Sequence, residues 1–171
     1  MKKILILTLI TGLFTGINAS AQQDKSKRPS PPAKVSETIA SGATISIDYS
    51  QPSVKGRTIG KEIAPYGEVW RTGANEATVF ETNKDVTIEG KTLPTGKYSL
   101  YSIPGADKWT LIFNKTWKQW GTAYKEADDV LRVDVKPLKA PTATEKMTFD
   151  IAKNGEVSLK WADTKVNFMV K

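Results

Sequence analysis

From residue 37 to the C-terminus the apolar side chains recur at every second position, not every third or fourth. In an extended chain that spacing lines one face of a strand, so the pattern commits the chain to sheets and leaves no room for a long amphipathic helix. Ala43, Ile45, Ile47 and Tyr49 make the first such set. Val79 lies in a β-prone run at 77–82, and Val86 and Ile88 resume the alternation after the turn-forming pair Asn83-Lys84. Within 97–103, Tyr98 and Leu100 share one face while Ser99, Tyr101 and Ile103 share the other, and Pro104-Gly105 ends the run. Residues 109–114 are a compact apolar run between turn signals, expected as a strand with one face fully buried. Residues 130–136 alternate with Arg132 and Asp134 on the opposite face. Met147, Phe149 and Ile151 lead into Asn154-Gly155, and Val157, Leu159 and Trp161 lead out, as in a hairpin whose two central residues both take positive φ. Val166, Phe168 and Val170 supply a last strand.

Short strands roughly ten residues apart, with turn residues between them, predict an all-β fold: an antiparallel β-sandwich, jelly-roll-like, of about eight to nine strands. Two segments break the rhythm, 52–73 and 115–129, and in the second residues 124–128 have the makings of a helical turn. Rigid β scaffolds carry their function on such loops.

The N-terminus has a different character. Lys2 and Lys3 precede an apolar stretch at 4–17 and the small-residue run Ala19-Ser20-Ala21, the order of a secretory signal peptide. The stretch is shorter than the roughly 20 apolar residues that span a bilayer as a helix. Residues 1–21 are therefore expected to be a signal peptide, 22–36 a flexible Pro/Ser/Lys-rich linker, and 37–171 a single sandwich domain. After cleavage no integral membrane segment is expected, and the location is periplasmic or secreted. The chain has no cysteine, so no disulfide can supplement its core and no lipid can be attached through an N-terminal thiol.

The net charge of +7 is unevenly spread. Lys2 and Lys3 belong to the leader, 22–36 carries a surplus of three positive charges, and 37–171 sets 19 Lys and Arg against 17 Asp and Glu. A nucleic-acid platform needs its positive charge clustered on the folded domain, so no nucleic-acid partner is expected.

Histidine is absent as well. That removes Ser-His-Asp and Cys-His nucleophiles and every metal site built on imidazole or thiolate. An enzyme would be left with carboxylates, Ser-Lys or Tyr chemistry, or a hard cation held by oxygens. The acids in or beside the irregular segments are Glu62, Glu68, Glu76, Glu81, Glu126, Asp128 and Asp129. Two of them facing one cleft could hydrolyse a glycan, but no spacing in the sequence singles out a pair. Asp128-Asp129 lacks the Gly-punctuated loop of a calcium site. No catalytic residue, metal site or cofactor is assigned.

Two clusters are left as candidate ligand-binding residues. Arg71, Asn75 and Glu76, beside Trp70 and Gly73, put a guanidinium, an amide and a carboxylate on one sharply turning stretch. They either grip a polar ligand or form a structural network in which Arg71 satisfies loop carbonyls or pairs with Glu76 while Trp70 packs in the core. Trp117, Trp120 and Tyr124 offer a flat stacking surface for a sugar ring or a protein partner, or else cap the open end of the sandwich.

Four stretches carry a family resemblance: Tyr49-Ser50-Gln51-Pro52-Ser53-Val54-Lys55-Gly56-Arg57; Pro65-Tyr66-Gly67-Glu68-Val69-Trp70-Arg71-Thr72-Gly73-Ala74-Asn75-Glu76-Ala77-Thr78; Leu93-Pro94-Thr95-Gly96-Lys97-Tyr98-Ser99-Leu100; and Trp109-Thr110-Leu111-Ile112-Phe113-Asn114-Lys115, with Trp117 and Gln119-Trp120-Gly121. They resemble a family of exported bacterial proteins, domain of unknown function 2911. The resemblance spans most of 37–171 and implies a small secreted or periplasmic module, with no catalytic residue to carry over. The expectation is a non-catalytic envelope module that binds a polar ligand, a glycan among them, or an envelope protein. The alternatives are a structural envelope protein without a ligand site and a carboxylate-dependent glycan hydrolase.

Overall fold

The computed structural model describes residues 24–171; the signal peptide expected at 1–21 lies outside the described residues. The described chain is all-β. One antiparallel sheet of six strands is built from β1 (Pro32–Thr38), β2 (Thr44–Ser50), β5 (Thr78–Thr82), β8 (Gly96–Ile103), β9 (Trp109–Asn114) and β10 (Asp129–Val135), in the order β1-β2-β5-β8-β9-β10. Short pairs β3 (Ile59–Gly60) with β4 (Ile63–Pro65), and β6 (Val86–Ile88) with β7 (Lys91–Leu93), lie in the connections. The long hairpin of β11 (Pro137–Ile151) and β12 (Glu156–Met169) makes the second layer, extended by bridges Ser53 to Lys146 and Ile88 to Val170.

The two layers meet through the alternating apolar set. Ile45, Ile47, Tyr49, Phe80, Leu100, Leu111, Phe113 and Val133 of the large sheet share one buried cluster with Met147, Phe149, Val157, Leu159, Trp161, Val166 and Phe168 of the hairpin. Burial of this kind contributes about 25 cal/mol per Å² of apolar surface, and without disulfides it is what holds the layers together. Phe80 and Phe113 meet edge to face with ring centroids 5.1 Å apart, inside the range of about 4.5–7 Å for such pairs. No helix among the described residues is long and apolar enough to cross a membrane.

The described residues form twelve strands where eight to nine were expected. The segments Val157 to Trp161 and Val166 to Val170, expected as separate strands, are nearly all one strand, β12, bent where Ala162 takes a φ of 50°. β1, β3, β4 and β7 are additional. The last three are two or three residues long, too short for a period to be read. The boundary expected at 37 falls inside β1, so residues 32–36 belong to the sheet and not to a linker. β1 is an edge strand in which only Ala33 and Val35 pack against the core, while Pro32, Lys34, Ser36 and Thr38 are exposed. Such edges carry little apolar signal, and proline or lysine there blocks further pairing.

The hairpin at Asn154-Gly155 forms, but with a different turn. Only Gly155 has positive φ (91°); its N–H donates to the Ala152 carbonyl at 2.9 Å, and the Asn154 side chain accepts from the Glu156 N–H at 3.0 Å. This is the longer loop with a single left-handed glycine, not the two-residue turn with two positive φ values.

Candidate functional site

The large sheet has a second face, and the second irregular segment lies over it, whereas residues 52–64 of the first join the hairpin layer and the main core. On β8 and β9 the pleat that sends Tyr98, Leu100, Leu111 and Phe113 into the core sends Ser99, Tyr101, Ile103 and Ile112 the other way. There Ala77, Tyr101 and Ile112 form a small buried cluster with Ile103 and Tyr124. The 115–128 segment is tied down over it. Ser99 Oγ donates to the Thr116 carbonyl at 2.8 Å, Asn114 Nδ2 donates to the Lys125 carbonyl at 2.9 Å, and the rings of Tyr101 and Tyr124 lie 4.9 Å apart. The helical turn expected at 124–128 is a single 3₁₀ turn, Glu126–Asp128.

The 70–77 stretch reaches the same place from the other side. Trp70 bridges to Ser102 of β8, and its ring stacks on Trp161 at 5.5 Å and meets Trp109 edge-on at 6.1 Å, so it closes the end of the main core. Consecutive residues of an extended chain point apart, which leaves Arg71 on the outer side. Thr72 then takes a φ of 49°, an outlier for a β-branched residue. Its buried hydroxyl donates to Ser102 Oγ at 3.0 Å, and its carbonyl accepts from Thr78 Oγ1 at 2.8 Å. Strain held in place like this clusters at functional sites. Asn75 also has positive φ (59°), which asparagine tolerates well.

The two segments interlock at Gly121. Its N–H donates to the Asn75 carbonyl at 3.0 Å, the Ala77 N–H donates to the Gln119 carbonyl at 3.1 Å, and Glu76 and Trp120 form a backbone bridge. A methyl group on Gly121 would collide with Cδ of Arg71. The expected proximity of the two clusters therefore holds for part of each.

Arg71 and Tyr124 line one depression of about 440 Å³ together with Pro65, Val69, Trp70, Tyr101 and Gly121. Arg71 also lines a neighbouring depression of about 440 Å³ with Asn75, Arg57, Glu62 and Trp161. Among the described residues five buried side-chain atoms are shut off from water without a hydrogen-bond partner: Nε of Arg71, the Tyr101 hydroxyl, Nε2 of Gln119, Oγ1 of Thr144 and Nε1 of Trp161. Each such unmade bond costs about 1–3 kcal/mol, and two of the five, on Arg71 and Tyr101, belong to residues of one depression. Burial pushes the Tyr101 phenol up, while the charge on Arg71 pulls it the other way.

Tyr124 is fixed by its own network. Its hydroxyl donates to Asp129 Oδ2 at 2.6 Å and accepts from Arg132 Nη2 at 2.8 Å; Arg132 Nε also reaches Asp129 Oδ2 at 2.9 Å, and Asn114 Nδ2 reaches Asp129 Oδ1 at 2.9 Å. Burial and the Asp129 carboxylate raise the phenol to about 12 against the pull of Arg132.

The other candidates go elsewhere. Glu76 does not pair with Arg71: Nη1 of Arg28 donates to both its oxygens and Lys25 Nζ lies 3.0 Å from Oε1. Burial raises the Glu76 carboxyl, but its own backbone N–H, Lys25 and Arg28 outweigh that and hold it at about 2. Asn75 Nδ2 donates to the Ser30 carbonyl at 3.0 Å. Trp117 is 39% exposed with Lys97 Nζ 5.1 Å from its ring centroid, and Trp120 is 51% exposed. Neither indole lines either depression. Of the seven acids near the irregular segments, Glu62 lines one depression and Glu68 the other.

Sequence reading missed Tyr101, Trp161, Gly121 and Arg28. Tyr101 and Trp161 read as ordinary strand residues, and only their unpartnered polar atoms distinguish them. Gly121 lies in the stretch quoted for the resemblance but has no positive φ among those of the chain to mark it. Arg28 sits 48 residues from its partner.

The fold and site together define a β-sandwich domain with an aromatic-walled depression, carrying one arginine, beside the outer face of its larger sheet. A family model described as protein of unknown function (DUF2911) matches residues 30–170. The chain belongs to that family, and the matched region starts two residues before β1. Neither a curated protein nor a solved structure matches the chain.

Proposed function

We propose that this protein is an exported, non-catalytic binding module that takes a polar ligand in the depression walled by Arg71, Tyr101 and Tyr124. The observation that carries this is the pair Arg71 Nε and Tyr101 hydroxyl, both buried, both unpartnered, both on residues of one depression. A network whose role was only structural would satisfy these atoms internally. A mutually satisfied Arg71–Glu76 pair would favour the ligand-free alternative, whereas Glu76 is committed to Arg28 and Lys25. A carboxylate-dependent hydrolase draws less support, because each depression beside Arg71 contains a single one of the seven acids. Export to the periplasm or beyond is supported by the basic, apolar and small-residue order of residues 2–21.

The test is a titration of the processed protein with neutral and acidic monosaccharides, short glycans and small organic acids, followed by melting temperature and by ¹H–¹⁵N spectra. At least one compound is expected to raise the melting temperature of the wild type and to lose that effect in Arg71→Lys, since an ammonium cannot reproduce the planar fork. A panel without any Arg71-dependent binder would overturn the proposal.

A further inference from the structure

We infer that the ligand of the Arg71 depression presents a singly charged carboxylate to Arg71 and Tyr101. This rests on the polar-ligand site proposed above and specifies its chemistry. Three features of the site lead to it.

The first is donor bookkeeping. A guanidinium has five N–H donors and no acceptor, and a phenol has one O–H donor. Nε of Arg71 and the Tyr101 hydroxyl lack partners, and none of the ion pairs among the described residues includes Arg71. Neither donor finds an acceptor within the fold, and a ligand can bring one. A carboxylate matches the planar edge of arginine through two parallel bonds, and charge-assisted bonds are roughly twice as strong as neutral ones.

The second is charge balance. Arg71 is the single cationic side chain lining this depression, and Glu68 stands on its wall. The nearby Asp129 and Arg132 are already paired with one another. One positive charge beside one negative charge suits a monoanion and disfavours a dianionic phosphate.

The third is the wall itself. Pro65, Val69, Trp70, Tyr101 and Tyr124 are apolar or aromatic, so the body of the ligand is a ring or an aliphatic group. The unpartnered donors are closed to water, and Gly121 packs against the Arg71 side chain. The segment held by the Gly121 to Asn75 hydrogen bond must part slightly from Arg71 to admit the carboxylate.

The experiment follows the Arg71 Nε–H resonance in ¹H–¹⁵N spectra of the processed wild-type protein. The probes are D-glucuronate against D-glucose, benzoate against benzyl alcohol, and inorganic phosphate. At least one carboxylate is expected to shift that resonance saturably and to bind about tenfold tighter than its neutral counterpart. The Tyr101→Phe variant, which keeps the ring and its packing, is expected to weaken that binding several-fold. Equal binding of a carboxylate and its neutral counterpart would remove the carboxylate and leave the polar-ligand site standing. Phosphate binding tighter than both carboxylates would replace the monoanion with a phosphate. No response of the resonance to either carboxylate up to about 10 mM overturns the inference, and if the neutral probes and the wider panel are silent too, the ligand site falls with it.

Discussion

Arg28 and Glu76 are 48 residues apart in the chain, yet Nη1 of Arg28 stands 3.0 Å from one carboxylate oxygen of Glu76 and 2.9 Å from the other. Lys25 joins them at 3.0 Å, and the Ser30 carbonyl accepts from Asn75 two residues beyond Arg28. The basic stretch ahead of the first strand is thus pinned to the turn that leads into β5. Asp24 initiates the 3₁₀ turn that presents these cations, its side chain accepting from the Ser26 N–H at 3.0 Å.

The pinning makes stability depend on acid. Glu76 lies at about 2 in the folded protein against an ordinary 4.5, so its contribution is complete above about pH 4.5 and is lost as pH falls through about 2. Glu76→Gln is expected to flatten the decline in urea midpoint between pH 4.5 and 2 relative to the wild type. Parallel declines in the two proteins would show that the contact adds nothing to folding.

Gly121→Ala is expected to cost about 1–3 kcal/mol, the range for overpacking a filled site. The added methyl group meets Arg71 Cδ and comes within 2.8 Å of the Asn75 carbonyl oxygen. The same substitution should also displace Arg71 and abolish any ligand response. Denaturant unfolding measures the first effect and titration the second; an unchanged midpoint would mean that the two segments are not packed as described.

Tyr124→Phe removes a hydroxyl that serves Asp129 and Arg132 at once, and an unfolding free energy lower by about 1–3 kcal/mol is expected. Because the folded phenol is raised to about 12, its contribution is complete below about pH 10 and fades as pH rises through about 12. Tyrosine absorbance in alkaline titration should therefore contain a step near 12 that the variant lacks. A wild-type titration finished by pH 11 would contradict the network.

Gly155→Ala is expected to destabilise by at least about 1 kcal/mol, through a φ of 91° that alanine disfavours and a collision of its methyl group with the Val170 carbonyl oxygen. Asn154→Ala should cost less, since it removes one exposed bond to the Glu156 N–H. Thermal melts of the two variants give the order, and the reverse order would indicate the two-residue turn first expected from Asn154-Gly155.

Much of the fold was legible locally. Alternation at Ile45 and Ile47, at Tyr98 and Leu100, and at Phe149 and Ile151 names core-facing residues directly, because a pleated strand turns every second side chain the same way. The split of β8 into a core face and an outer face was legible for the same reason, and the buried Tyr101 (1% exposed) lies on the side that the alternation assigns it. β1 was not legible, since an edge strand with Pro32, Lys34 and Ser36 has no apolar period to detect.

The site divides along the same line. Residue chemistry alone marked Arg71 and Tyr124, and the absence of histidine and cysteine narrows the available reactions. Only the tertiary structure decided that Glu76 belongs to Arg28, that Trp117 and Trp120 stay outside the depression, and that Tyr101 belongs to it. Periodicity is a property of neighbours along the chain, whereas hydrogen-bond satisfaction depends on which distant segments share a surface, and no local pattern encodes that.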